Sequence, residues 1–185
     1  MKVTLLMAMT LDGKIAKHAD HFPDWTPPED KKIFAALSRR AGVVIMGSRT
    51  FDTLGKPLPE RLNVVMTRDP SRKSPWDNLV FTADPPRQIL ERLESQGYGE
   101  VVLAGGTCVN SLFARKGLID AVVVTLSPKI FGTGLGLFSP DVAMDLSLEE
   151  VERAGSELVI LRYRVLQARV SENAKAGRRV GVCFD

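Results

Sequence analysis

Residues 25–61 read WTPPEDKKIFAALSRRAGVVIMGSRTFDTLGKPLPER, and the division of this stretch into elements decides the fold. Pro27 and Pro28 suit a helix entry, where the amide proton that proline lacks has no acceptor in any case. Ile33, Phe34 and Leu37 then recur at helical spacing, which predicts a helix over about 28–40 with one apolar face. Asp30 precedes Phe34 by one turn, so a carboxylate and an aromatic ring stand above each other on nearly the same face. A flat, hydrogen-bonding ring fits between them. The helix dipole alone also favours an acid in a first turn, so Asp30 gains weight only from its surroundings. After the helix, Gly42 to Met46 is an unbroken apolar run, the pattern of a parallel strand covered on both faces. Gly47-Ser48-Arg49-Thr50 follows at its carboxyl end, and Phe51 to Leu54 reads as a short helix.

The alternation continues on both sides of this stretch. Residues 2–9 form a buried first strand that the turn dipeptide Asp12-Gly13 ends. A polar loop over 17–23, with His18 and His21, leads to Trp25 and is placed to cover a site. Downstream, Leu62 to Met66 repeats the buried-strand pattern and ends in Thr67-Arg68. Asn78 to Thr82 is a weaker strand, and a helix from Pro85-Pro86 to about Gln96 puts Ile89, Leu90 and Leu93 on one side. Val101 to Ala104 is another buried strand, ending in Gly105-Gly106-Thr107 before an apolar helix with Val109, Leu112 and Phe113. Ala121 to Leu126 is a sixth strand. The glycine-rich IFGTGLGLF then bridges to an expected helix over 147–153 and a last strand over 157–166. The sequence divides into a single domain over 1–167 and a polar, basic tail over 168–185, expected to be mobile.

The 185 residues are 44% hydrophobic and 25% charged, an ordinary globular composition. The net charge is +3, and the tail carries four basic residues against two acids, leaving the body near neutral. Nothing in this balance calls for nucleic acid. Two cysteines, Cys108 and Cys183, make neither a disulfide framework nor a zinc site, so no metal is implied and a reducing, cytoplasmic setting is expected. The apolar start is too short for a membrane span or a signal peptide.

Strands alternating with helices imply a mostly parallel sheet with helices on both faces. Ligands in such folds collect beyond the carboxyl ends of the strands. Arg49, Arg68 and Gly105-Gly106 all fall there. A guanidinium grips a phosphate with two parallel hydrogen bonds, and glycine amides at a helix start receive a diphosphate, so the set suits a phosphorylated nucleotide. It is neither the GxGxxG fingerprint nor a Walker loop.

These segments resemble dihydrofolate reductase. Trp25, Pro28, Asp30 and Phe34 keep the family's intervals around its active-site acid. Met46-Gly47-Ser48-Arg49-Thr50-Phe51 is similar to its Met-Gly-x-x-Thr-aromatic segment, and Gly55-Lys56-Pro57-Leu58-Pro59-Glu60-Arg61 to its Gly-Arg-Pro-Leu-Pro-x-Arg segment. Gly105-Gly106 matches a turn that has a cis peptide in the family, and Thr125 in VVVTLSP matches a threonine bonded to the acid. The resemblance implies a three-layer α/β/α fold, with a mostly parallel sheet of about eight strands and an antiparallel C-terminal strand. It implies NADPH as cofactor, with a pterin on Asp30 that Thr125 orients, flanked by Ala8, Trp25, Phe34 and Leu54, and with Arg61 on a glutamate tail. For the cofactor it implies Ala8, Ile15 and Ala104 near the nicotinamide. Gly47, Thr50, Gly105, Gly106, Thr107, Cys108 and Val109 would lie at the diphosphate, and Ser48, Arg49, Thr67 and Arg68 at the adenosine phosphate.

Several positions depart from that pattern. The covering loop is longer and more polar, Ser48 and Thr107-Cys108 stand where arginines are common, and Asn110 replaces a tyrosine. Two segments, TLDGKIA and AGGTCVNSLFARKGLIDAVVVTLSPKIFGTGLGLF, are instead similar to the reductase half of the riboflavin-pathway deaminase-reductase, which acts on a ribosylaminopyrimidinone phosphate. That relative's Asp-Asp-Pro segment is missing here. Dihydrofolate reduction is therefore the first expectation, the riboflavin step the second and a non-catalytic nucleotide-binding protein on the same scaffold the third. The PLPERLNVV run, shared with thermophilic-type dihydrofolate reductases, adds the expectation of a homodimer contacting through IFGTGLGLF.

Overall fold

A computed structural model describes residues 1–170. The tail over 171–185, including Cys183, lies outside the described residues, and the last strand runs through Val170 rather than ending near 166. Five apolar runs form parallel strands: β1 (Lys2–Thr10), β3 (Val43–Gly47), β4 (Leu62–Met66), β6 (Glu100–Leu103) and β7 (Ala121–Ser127). A sixth, β5 (Leu79–Thr82), stands at the edge. With the antiparallel pair β9 (Val142–Ala154) and β10 (Leu158–Val170), they make an eight-stranded sheet in the order β5-β4-β3-β6-β1-β7-β10-β9. The residues between Val43 and Met46 are fully buried because the strand has neighbours on both edges and helices over both faces.

Four helices complete the layers: α1 (Pro28–Ala41), α2 (Ser48–Leu54), α3 (Pro86–Ser95) and α4 (Thr107–Arg115). On one face Ile89 and Leu93 of α3 and Val109 and Phe113 of α4 pack with Val3, Leu5, Ile45 and Leu103. On the other, Ile33, Phe34 and Leu37 of α1 and Phe51 of α2 pack with Leu6, Val44, Met46 and Ile160. Gly42 ends α1 in the left-handed conformation at φ 74°, and its amide closes onto the Arg39 and Ser38 carbonyls. The three-layer architecture and the antiparallel C-terminal strand agree with the sequence reading.

One expectation is overturned. Residues 147–153 are not a helix but part of β9, a thirteen-residue edge strand. Leu148 and Val151 lie three apart, which reads as helical, yet both face the same side, opposite Tyr163 and Leu161. A bulge at Glu149 inserts the extra residue, turning a period of two into a spacing of three. Nor is IFGTGLGLF only a bridge. Its Leu135–Gly136 forms β8, paired with β2 (Lys14–Ala16) in a second small sheet.

Candidate active site

Asp30 sits in the first turn of α1, where its amide donates to the Pro27 carbonyl at 3.1 Å. Its side chain is turned inward and the residue is 9% exposed. The carboxylate Oδ1 accepts a short hydrogen bond from Thr125 Oγ1, which comes from the middle of β7 beside Ala8 of β1. Helix and sheet thus hold the same carboxylate, although 95 residues separate the partners. Phe34, one turn further, and Leu54 at the end of α2 are half-buried against the same core. Trp25 is half-buried, its ring edge-on to Phe131 at 5.1 Å. Its buried indole Nε1 has no hydrogen-bond partner among the described residues.

Arg61 is 6% exposed. Its Nε donates to the Pro59 carbonyl at 2.9 Å and its Nη1 to Ser38 Oγ. Burial depresses its pKa, helped by the nearby Arg39 charge and opposed by Glu60.

The glycine turn lies between β6 and α4. Gly105 and Gly106 are joined by a cis peptide, and the Gly105 carbonyl accepts the Gly47 amide at 2.8 Å, so the ends of β6 and β3 are tied together. Gly105 has φ 86°, and a Cβ there would come within 2.9 Å of Met7. A Cβ on Gly106 would lie 3.6 Å from Thr50 Oγ1, which places that hydroxyl beside the turn. The first-turn amides of α4, from Thr107, Cys108 and Val109, have no acceptor within the helix. The Val109 side chain is in the core, so only its backbone faces this end. Thr107 Oγ1 donates to the Gly136 carbonyl at 2.6 Å and Asn110 Nδ2 to the Leu137 carbonyl at 2.9 Å, which anchors the β8 region here.

Ala8 and Ile15 are half-buried on β1 and β2, and Ala104 is buried just beyond β6. Ser48 and Arg49 open α2, with Arg49 exposed. Beside them, Thr67 is buried at the end of β4, its hydroxyl accepting the Asp69 amide at 3.1 Å, while Arg68 is exposed. The residues expected at the cofactor therefore gather along the carboxyl ends of β3, β4, β6 and β1, as ligand-binding positions do in parallel sheets, whereas Arg61 lies just before the start of β4, beside Ser38 of α1. A shallow depression of about 390 Å³ beside α3, lined by Leu62, Val64, Arg92 and Tyr98 among others, contains none of them.

Three groups escaped the sequence reading. Asp12 accepts the Phe131 and Gly132 amides at 3.2 and 2.8 Å, holding the first turn to the glycine-rich segment. Arg72 pairs with Asp52 and lies 4.6 Å from the Phe81 ring centre, near the end of β5. Ser38 contacts Arg61; its signal was available, because it continues the Asp30, Phe34 interval by one more turn.

The fold is that of a domain built on the dihydrofolate reductase scaffold. The chain belongs to the family described as the RibD C-terminal domain, whose model matches residues 1–160. It is 26% identical to the riboflavin biosynthesis protein RibD of Aquifex aeolicus, over 88% of this chain and 57% of that protein. It is 38% identical to a dihydrofolate reductase of Staphylococcus aureus, over 68% of this chain and 71% of that one. RibD of Acinetobacter baumannii shares the fold at a TM-score of 0.76 and 19% identity, covering 90% of this chain and 58% of that one. Dihydrofolate reductase from Enterococcus faecalis, solved with NADP(H), gives 0.67 and 20%, covering 90% and 97%. The chain thus spans less than two thirds of the RibD proteins it matches.

Proposed function

We propose that this protein is an NADPH-dependent reductase acting on a small pterin or pyrimidine, with 7,8-dihydrofolate to tetrahydrofolate as the first reading. The observation that carries it is the buried Asp30 carboxylate, bonded to Thr125 and one turn from Phe34. Such a carboxylate accepts two parallel hydrogen bonds from the amino group and ring N–H of a 2-aminopyrimidinone edge. Thr125 fixes its orientation. An anion in a largely apolar slot also favours the protonated form of the adjacent ring, which makes the imine carbon a better hydride acceptor. Trp25, Ala8 and Leu54 would shape the slot, and Arg61 would pair with the substrate's anionic end.

We read the glycine turn as the cofactor cradle: Gly105 holds φ 86°, a conformation that side-chain-bearing residues rarely adopt, and Thr50 stands beside Gly106. Gly47, Thr50, Gly105, Gly106 and the amides of Thr107, Cys108 and Val109 would hold the diphosphate. Ser48, Arg49, Thr67 and Arg68 would meet the adenosine phosphate, and Ala8, Ile15 and Ala104 the nicotinamide. When bound, NADPH supplies the hydride. The segment over 14–25, held to Phe131 through Lys17, His21 and Trp25, would keep water away from that transfer. A cytoplasmic setting and a homodimer belong to the same reading.

The second reading, reduction of a ribosylaminopyrimidinone phosphate, is favoured by the family match and by RibD similarity along most of the chain. Nicotinamide absorbance followed with each substrate separates the two. Oxidation of NADPH by dihydrofolate, falling at least about a hundredfold in Asp30→Asn, is the expected result. Turnover of the pyrimidinone phosphate alone selects the second reading. NADPH binding without turnover of either substrate would reject the enzyme and leave a binding protein.

A further inference from the structure

Helix α2 and the turn after β4 bracket the position proposed for the adenosine phosphate, and each carries acidic side chains as well as arginine. On α2, Asp52 follows Ser48 by four residues and Arg49 by three, so the three share one helix face. Helical side chains lean toward the amino end, which tilts the Asp52 carboxylate toward the two residues expected to meet the phosphate. One anion there opposes another. Asp69, on the turn, is engaged locally: its Oδ1 accepts the Ser71 amide at 2.9 Å and the Ser71 hydroxyl at 2.6 Å. Asp52 is met from the turn by Arg72, four residues beyond Arg68. Arg72 Nη1 donates to Asp52 Oδ2 at 3.0 Å and Nη2 donates to Oδ1, a two-pronged pairing. The guanidinium centre lies 4.6 Å from the Phe81 ring centre and 5.9 Å from that of Phe51, and the two rings meet edge-on at 5.6 Å. Fork and rings together fix the cation, which is the more buried partner. Ion pairs this close to water add little to stability, so the fold alone gives weak reason for the arrangement.

Resting on the cofactor reading above, we infer that Arg72 is a positioning residue for cofactor choice that acts through Asp52. By cancelling the charge of this carboxylate it lets Ser48, Arg49, Thr67 and Arg68 favour a dinucleotide with a phosphate on its adenosine ribose over one without. Contact with the phosphate stays with those four residues. Arg72 sets the local field in which they work, and Phe81 holds it against Asp52 rather than free to swing away.

The test compares binding of NADP+ and NAD+, which differ only in that phosphate, by titration calorimetry without turnover. Wild type should bind NADP+ the more tightly. Arg72→Met keeps the packing on Phe81 but leaves Asp52 unpaired, and should weaken NADP+ about fivefold at low ionic strength while NAD+ stays within about twofold. At about 1 M salt, where screening acts within about 3 Å, the loss should fall below about twofold. Adding Asp52→Asn to Arg72→Met should return NADP+ to within about twofold of wild type, a rescue that a merely structural pair would not show. Asp52→Asn alone leaves the cation in place and should bind NADP+ at least as tightly as wild type. No loss in Arg72→Met, an equal loss for both dinucleotides, or a loss in Asp52→Asn alone overturns the role. So does a double variant as weak as Arg72→Met, which would put the guanidinium itself on the phosphate. A wild type that binds NAD+ as well as NADP+ overturns the cofactor reading and this role together, whereas a wild type that prefers NADP+ with an unresponsive Arg72→Met overturns the role alone.

Discussion

Along β3 four consecutive residues, Val43 to Met46, are fully buried, whereas none of the thirteen residues of β9 is. The two strands belong to one sheet. β3 lies between two parallel partners and under helices on both faces, so every side chain has to be apolar. β9 has one partner, β10, and its charged face closes on itself: Arg162 pairs with Glu150 and Glu152, and Arg164 with Glu149. The hairpin is nevertheless tied to the site. Ile160 of β10 stands opposite Thr125 in the ladder with β7, so the buried start of that strand backs the residue bonded to Asp30. The parallel strands build the site by burial; the hairpin backs it through the buried start of β10, packs Val142, Met144, Leu161, Tyr163 and Val165 in part against the core, and leaves most of β9 to water.

Truncation separates the two regions most strongly. Ile45→Ala, at 0% exposure between α3 and the sheet, should cost about 2–5 kcal/mol in denaturant unfolding. A cost near zero would mean that β3 is not the core strand described. The root of the hairpin offers a smaller effect. Asp141, just before β9, makes two bonds with Arg115 of α4 at 2.7 and 2.8 Å. That hydrogen-bonded pairing, opposed by partial burial, holds the Asp141 carboxyl below the usual carboxylate range. A depressed pKa contributes stability above the unfolded value near 4 and loses it as pH falls through the folded value. Asp141→Asn should therefore cost about 1 kcal/mol at pH 7 and flatten the pH dependence below about 4. A wild type with an unchanged slope in that range would show that the pair does not hold the hairpin to α4.

The same contrast explains what could be read from residues alone. Buried parallel strands announce themselves because both faces must be apolar, so the runs at 43–46, 62–66 and 101–104 were placed within a residue or two. Asp30 and Phe34 were legible because one helix turn links them. The β9 segment was misread because its bulge imitates helical spacing, and a bulge is set by the partner strand rather than by local sequence. The pairing of β2 with β8 rests on five residues from distant parts of the chain, which no periodicity reveals. The buried environment of Arg61 was hidden for a similar reason, since Ser38 lies 23 residues away.

The smallest expected effect is the most informative about the hairpin. Leu146, Leu148 and Val151 stand opposite Val165, Tyr163 and Leu161 on one face of β9 and β10, and the first three are 39%, 54% and 59% exposed. If water covers that face, Leu148→Ala removes a side chain that was already half hydrated, and the change in stability should stay within about 0.5 kcal/mol. The measurement belongs at two protein concentrations. A cost approaching that of Ile45→Ala, and rising with concentration, would mean that a second copy buries this face, because only association makes stability depend on protomer concentration. The contrast between the two strands would then hold for the monomer alone.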